Sequence, residues 1–391
     1  MNMLSLSKKA TDIAQSEIRI MSVECEKARG INLAQGICDT EVPEPVQRGA
    51  IDAIRSRQNS YTRLDGVAQL RRAIARKMRE YNHVEADPEK EIVVTAGSTG
   101  AFYSACTALL NPGDEVIVFE PFYGYHVNTL RALDCVPVFV TMHPPEWIFS
   151  RDQFERAVTS KTRAIILNSP ANPSGKVFSR DELEIIAAVA IRHDLFVITD
   201  EIYEYFLYDG TEHISPASMP GMAERTITIS GFSKTYSITG WRIGYAVCDA
   251  RWAHSIGYFH DLAYICAPSP FQHGVAAGLE ELGSDFYRDM ALDYRAKRDL
   301  LCTTLEQIGL SPSWPKGSYY VLADVSSLPG NNSKEKAMFL LQTAGVAAVP
   351  GEAFFSEGGQ NLLRFCYAKT DADLQEACRR LSRISVAAAS R

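Results

Sequence analysis

Apolar and polar positions alternate along this chain with two different periods. "GVAQLRRAIARKMREY" places Leu70, Ile74 and Met78 on one face at helical spacing, which predicts an amphipathic helix. "EIVVTA" (91–96) is a short β-branched run, the pattern of a buried strand. It breaks at "GSTG", and a helical stretch, "AFYSACTALL", follows. The strand pattern recurs in "EVIVFE" (115–120), "VPVFVT" (136–141), "RAIILN" (163–168), "LFVITD" (195–200), "RTITIS" (225–230) and "IGYAVC" (243–248). Most of these runs are separated by segments long enough for a crossover helix, such as "SRDELEIIAAVAIRHD". Seven strands alternating with helices predict an α/β domain with a mainly parallel sheet covered on both faces.

One connection breaks the rule. Only about a dozen residues separate "RTITIS" from "IGYAVC", the lower limit for a crossover, and Thr239 and Gly240 disfavour a full helix there. The last strand is therefore expected to run antiparallel to its predecessor. Its start would then share a rim with the ends of the parallel strands, and Arg242 would join Lys234 there. The C-terminal third changes character. "YRAKRDLLCTTLEQIGL" reads as a long helix, "GSYYVLADV" as a strand, "SKEKAMFLLQTAG" as a helix, "NLLRFCYA" as a strand and "DADLQEACRRLSRI" as a closing helix. This predicts a second, smaller α/β unit, joined by the N-terminal segment that holds "INLAQGICD". The expected division is 1–48 for that segment, 49–285 for the large domain and 286–391 for the small one.

Charge and composition narrow the function classes. A net charge of −7 argues against nucleic acid or an anionic membrane as the main partner. The nine cysteines form no CxxC pair and no zinc-ligand spacing, so reduced thiols in a cytoplasmic protein are expected. The N-terminal stretch "MNMLSLSKKATDIAQSEIRI" lacks the apolar block of a signal peptide, and no apolar run reaches the roughly 18 residues of a membrane span.

In open parallel sheets ligands bind beyond the carboxyl ends of the strands. This chain places "GSTG" (97–100), "PFYGYH" (121–126), "NSPANPSG" (168–175), "DEIYEYF" (200–206) and "SGFSK" (230–234) at those ends. They offer a phosphate-type turn, an aromatic ring, an amide, a carboxylate, a phenol and a lone lysine. No metal-ligand cluster and no Ser-His-Asp arrangement stands out, so no metal is expected. A desolvated lysine beside cations becomes a neutral amine that can form a Schiff base. Pyridoxal phosphate needs such a lysine, here Lys234, and an acid for its pyridinium nitrogen, for which Asp200 at a strand tip is suited. Tyr203 and Asn172 could hydrogen-bond the ring oxygen, and Tyr123 could stack on the ring face in competition with Phe122 and Tyr125. Ser98 and Thr99 at a helix N-terminus favour a phosphate, and Arg242 could supply its guanidinium partner. The plainer readings are a loop lysine, a strand-end cap and ordinary helix caps. "GSTG" alone could suggest a nucleotide fold, but the second glycine and acidic residue of that motif are missing.

The motif "GFSKTYSITGWRIG" resembles the lysine signature of the class I/II aminotransferases, the fold-type-I pyridoxal phosphate enzymes. "LAQGICDTEVPEPV", "YTRLDGVAQLRRAIARK", "GSTGAF", "NPGDEVIVFEPFY", "NSPANPSG", "DEIYEYF" and "LLRFCYA" are similar to that family's other motifs and follow in its order along nearly the whole chain. The resemblance implies a large domain around a mixed, mainly parallel seven-stranded sheet plus the smaller domain. It implies Arg364 as clamp for the substrate α-carboxylate, Gly36 as a backbone contact on a mobile lid, and Tyr61 as a hydrogen-bond donor to the cofactor phosphate of the partner subunit, in a homodimer with shared sites. Two departures matter. Gly231 stands where many relatives carry a serine, a role that Ser233 or Ser230 could take over. Ala34 stands where the N-terminal motif often has glycine.

The activity so implied is ping-pong transfer of an amino group from an L-amino acid to a 2-oxo acid such as 2-oxoglutarate, with Lys234 as general base. "PFYGYHVNTL" resembles the branch acting on neutral or aromatic amino acids, and no clear second arginine for a distal carboxylate is seen. The alternatives are a β-lyase on the same cofactor, a pyridoxal phosphate-binding regulator and a catalytically dead homologue. The regulator reading would call for a DNA-binding head and a basic patch, neither of which the sequence offers. Together Lys234, Asp200 and Arg364 argue against the dead homologue.

Overall fold

The computed structural model describes residues 6–7, 9–10 and 16–384. Much of the N-terminal stretch read above for a signal peptide lies outside the described residues. Fourteen strands are numbered in chain order. The main sheet uses β2 (Ile92–Ala96), β3 (Glu115–Glu120), β4 (Val136–His143), β5 (Ile148–Phe149), β6 (Thr162–Asn168), β7 (Phe196–Asp200), β8 (Thr226–Gly231) and β9 (Ile243–Val247), in the order β2-β9-β8-β7-β6-β3-β4-β5. Strands β8, β7, β6, β3 and β4 are parallel, and β9 runs antiparallel to both β8 and β2. The expected reversal at β9 is thus present, and residues 232–242 form turns instead of a crossover helix.

The sheet has eight strands where seven were expected. The eighth, β5, is a two-residue edge strand that pairs Phe149 with Met142 and Ile148 with His143. Two residues carry no readable alternation, so the hairpin left no mark in the hydrophobic pattern. The long C-terminal helix likewise begins at Ser284, ten residues before the stretch that its periodicity marked.

Residues on the two faces of the strands enter different cores. Val197 packs in one cluster with Ile165, Ile186 and Ala187, while its neighbour Ile198 packs in another with Ala101, Ala105 and Ile256. This is the period-2 alternation of a sheet buried on both sides. Helices Gly97–Leu109 and Ala250–Tyr264 cover one face and helix Arg180–Arg192 the other. The last of these starts with a capping box in which Ser179 and Glu182 each satisfy the other's backbone N–H. A further sheet, in the order β10 (Ser311–Pro312), β11 (Tyr320–Asp324), β14 (Leu362–Cys366) and β13 (Val349–Pro350), is antiparallel throughout. Strand β1 (Ile31–Asn32) pairs parallel with β12 (Val346–Ala347), which ties the N-terminal segment to the C-terminal third. No helix among the described residues is long and apolar enough to cross a membrane.

Candidate active site

The register of the main sheet brings the carboxyl ends together. Asn168 pairs with Asp200, Asp200 with Ile229, Gly231 with Gly244, and Ala96 with Ile243. Beyond this rim lies a cavity of about 720 Å³. It is lined by Gly36, Ser98, Thr99, Tyr123, Asn172, Asp200, Tyr203, Ser233, Lys234, Arg242 and Arg364, all named above from the sequence. Tyr61 does not line it and is 79% exposed. Phe122 packs away from it against Phe139, which leaves Tyr123 and Tyr125 as the rings facing the cavity.

Lys234 follows β8 in a turn. Its ammonium nitrogen donates to the Gly36 carbonyl at 3.0 Å, and no carboxylate lies within salt-bridge distance among the described residues. Burial is the main cause that holds its pKa below the ordinary value. Arg242 and Arg364 push the same way, against the Cys38 and Cys366 thiols. A larger fraction of a lysine so placed is the free, nucleophilic amine at neutral pH than of one in water.

Asp200 closes β7, and its Oδ2 meets His126 Nε2 at 3.1 Å. The His126 ring stacks on Phe102 with centroids 4.4 Å apart. Asn168 donates through Nδ2 to the Asp200 carbonyl at 2.9 Å and accepts the Asn172 backbone N–H at 2.7 Å. Asn172 Oδ1 then accepts from Arg364 Nη1 at 2.8 Å, and Arg364 Nη2 donates to the Ala34 carbonyl. Arg364 is fully buried and its Nε has no partner. Both of its hydrogen-bonded nitrogens face neutral acceptors, so the guanidinium charge is unmatched. An anionic ligand would answer that.

The phosphate end is built from backbone. Helix Gly97–Leu109 starts where β2 ends; Gly97 N–H donates to the Arg242 carbonyl at 3.1 Å, and Ser98 and Thr99 of the first turn line the cavity. The Arg242 guanidinium lies over Gly97 so closely that a Cβ there would overlap it, and a Cβ at Gly244 would strike the Ser98 backbone nitrogen. Arg242 itself takes a left-handed backbone conformation (φ 59°) as the chain enters β9, a strained choice for a non-glycine residue. Its Nη1 donates to the Thr239 carbonyl at 3.0 Å. A helix N-terminus and a guanidinium, packed closely together because Gly97 and Gly244 carry no Cβ, fit a phosphate. With Lys234 and Asp200 they fit pyridoxal phosphate.

One sequence expectation is corrected. Ser230 cannot replace the serine missing at position 231, because strand alternation turns it to the opposite side, where its hydroxyl donates to Glu204 at 2.9 Å. Ser233 does line the cavity. A Cβ at Gly231 would press on Gly244 and Ile202, so the backbone there has closed on itself. Three residues of the site escaped the sequence reading. His126, the last residue of "PFYGYH", carried no role and is 74 positions from Asp200. Tyr320 meets Tyr203 across 117 positions, and the doublet in "GSYYVL" was its only signal, since alternation must turn one of two adjacent strand tyrosines inward. Arg19, from helix Glu17–Lys27, lines the mouth although no second arginine was seen for a distal carboxylate.

The family model for aminotransferase class I and II matches residues 28–381. An aspartate aminotransferase of Pyrococcus abyssi is 35% identical over 97% of this chain and 98% of its own length. A kynurenine–oxoglutarate transaminase of Dictyostelium discoideum is 34% identical over 90% of each. The solved structure of N-succinyldiaminopimelate aminotransferase from Mycobacterium tuberculosis superposes with a TM-score of 0.93 at 36% identity, covering 97% of this chain and 99% of that one. The chain belongs to the class I and II aminotransferases, fold-type-I enzymes that depend on pyridoxal phosphate.

Proposed function

We propose that this aminotransferase moves the amino group of an L-amino acid with a neutral or aromatic side chain to a 2-oxo acid such as 2-oxoglutarate, in a ping-pong cycle. The observation that carries the mechanism is Lys234, a buried amine with a carbonyl as its hydrogen-bond partner, in one cavity with Asp200 and Arg364. Lys234, Asp200, Tyr203, Asn172, Tyr123, Ser98, Thr99, Ser233 and Arg242 would hold the cofactor. When bound, pyridoxal phosphate supplies an electron sink for the substrate's α-carbon. Arg364 takes the α-carboxylate by exchanging its two neutral acceptors for the anion. Lys234, whose pKa burial lowers, would as the free amine take the α-proton and deliver it within the same cavity. Asp200, oriented by His126, would be the carboxylate partner for the cofactor's ring nitrogen. Tyr203, buried and held well above its ordinary pKa by that burial, remains a proton donor.

The side-chain end of the cavity presents Ile18, Val23, Tyr123 and Tyr125, which supports apolar or aromatic donors. Arg19 at the mouth favours a second reading, a donor with a distal carboxylate. The enzyme is further read as a cytoplasmic homodimer with shared sites. Ile51, Ile54, Tyr61, Tyr258 and Leu262 are exposed apolar side chains that a second copy could cover, and that copy would receive Tyr61. A panel of phenylalanine, methionine, aspartate and glutamate with 2-oxoglutarate tests the donor class. Phenylalanine or methionine should convert the visible cofactor band fastest. Preference for aspartate, abolished in Arg19→Ala, would establish the second reading instead. Pyruvate and ammonia released from a β-substituted substrate, with no oxo acid present, would point to elimination.

A further inference from the structure

Tyr320, on β11, touches more of the cavity's polar groups than the sequence reading foresaw. Its hydroxyl lies 3.2 Å from the Tyr203 hydroxyl. Its ring faces the Arg364 guanidinium, whose carbon is 4.3 Å from the ring centroid. Gly36 packs against the same hydroxyl so tightly that a Cβ there would overlap it. The Gly36 carbonyl in turn accepts from Lys234 Nζ at 3.0 Å and from the Tyr319 hydroxyl at 3.2 Å. Tyr320 is 3% exposed, so these contacts form away from water.

A phenol has one proton to give. If Tyr203 directs its proton into the cavity, its oxygen has only acceptor capacity left, and Tyr320 is the hydroxyl placed to donate to it. Burial pushes the Tyr320 hydroxyl up to about 12, so it keeps that proton through the neutral range. A donated hydrogen bond polarises the Tyr203 O–H and strengthens what Tyr203 gives onward. The ring does separate work. It bears on a buried guanidinium whose Nε has no partner and fixes the plane of that group.

We propose that Tyr320 is a positioning residue with two separable roles: its hydroxyl tunes the Tyr203 phenol toward the bound cofactor, and its ring face holds Arg364 for the substrate carboxylate. This rests on the reading of the cavity as the aminotransferase site, and the tests separate the two. The measurement is a spectrophotometric pH titration of the visible cofactor band in the holoenzyme. A weaker Tyr203 donor stabilises negative charge on the cofactor's ring oxygen less, so the protonated form persists to higher pH. Tyr320→Phe should raise the titration midpoint by about half a pH unit, as expected for a neutral hydrogen bond lost at one remove. In a Tyr203→Phe background the same change should move it no further. The Michaelis constant for the amino acid should stay within about twofold in Tyr320→Phe, which keeps the ring, and rise about tenfold in Tyr320→Leu, which does not. A titration unmoved by Tyr320→Phe, or moved equally in both backgrounds, overturns the hydroxyl role even if Tyr320→Leu does not fold. Equal Michaelis constants in the Phe and Leu variants overturn the ring role. A wild-type holoenzyme whose band no amino acid converts would overturn the underlying reading as well.

Discussion

Two lysines, Lys77 buried and Lys234 partly buried, stand near the same strand ends, and their partners differ. Lys77, from helix Ala68–Tyr81, ion-pairs with Glu204 at 2.5 Å and donates to the Tyr245 hydroxyl at 3.0 Å. Around it Asn82, Ser230, Ser215, Glu201 and His213 complete a network in which Glu201, Glu204 and His213 lie close enough to hold a metal ion. Lys77 supplies the cation there. Burial raises the Glu204 carboxyl, but Lys77, His213 and the hydrogen bonds outweigh that and hold it below the usual carboxylate range. Lys234 has the same chemistry and no carboxylate partner, and burial lowers it. Adjacent residues divide between the two regions: Asp200 and Tyr203 line the cavity, while Glu201 and Glu204 join the network. Lys77, matched by a carboxylate, serves the fold. Lys234, left to one carbonyl beside the cavity, is available for chemistry.

The largest effects should separate the two lysines by kind. Lys234→Ala should cut turnover by about 10⁴-fold, the loss expected when one group serves as both nucleophile and base, with the melting temperature unchanged or raised. Lys77→Met should do the reverse. It leaves the buried Glu204 uncompensated and should cost about 3–5 kcal/mol in urea unfolding. Pairing it with Glu204→Gln should recover part of that, since the charge then goes with its partner. If Lys234→Ala destabilised the fold as much as Lys77→Met, the contrast would fail.

The boundary between fold and site offers a smaller effect. His260 is buried with Nε2 accepting the Ala96 backbone N–H at 2.8 Å, where β2 turns into the helix that faces the phosphate. Burial lowers its pKa from 6.5 to about 4. The unfolded chain therefore binds this proton first. Its contribution is intact above about pH 6.5 and is lost as pH falls toward 4, to a limit of about 3 kcal/mol. Thermal melts between pH 7 and 4 should show this loss, and His260→Gln, which can still offer an acceptor, should flatten the curve. An unchanged pH dependence in that variant would assign the loss to other groups.

How much of this was legible in the sequence depends on the range of the signal. Strand runs and the reversal at β9 are local properties of apolar pattern and connection length, and they placed Lys234 and Arg242 on one rim. Strand β5 is too short to carry a period. The pairs His126–Asp200 and Tyr203–Tyr320 join elements far apart in the chain, so no window of residues contains them. The "DEIYEYF" motif shows the limit most clearly. Its acids and phenol read as one cluster of polar residues, yet the turn after β7 deals them alternately to the cavity and to the network behind it.

Ser230 and Ser233 sharpen the comparison at its smallest scale, because the sequence offered them as equal candidates for one hydroxyl. Ser230 donates to the Glu204 carboxylate inside the network, so Ser230→Ala should cost about 1.5–3 kcal/mol of stability and leave cofactor affinity alone. Ser233 lines the cavity, so Ser233→Ala should weaken cofactor binding several-fold, as expected for one lost hydrogen bond to a charged group, and change stability by less than about 0.5 kcal/mol. Cofactor affinity measured on the two variants after reconstitution, beside urea unfolding of the cofactor-free chains, reads both effects. A Ser230→Ala variant that lost cofactor while keeping its stability would mean that the network and the cavity are not separate regions. The end of β8 makes the opposite expectation a physical one: three positions apart, with Ser230 inside the strand and Ser233 in the turn beyond it, one hydroxyl is committed to a buried carboxylate and the other lines the cavity.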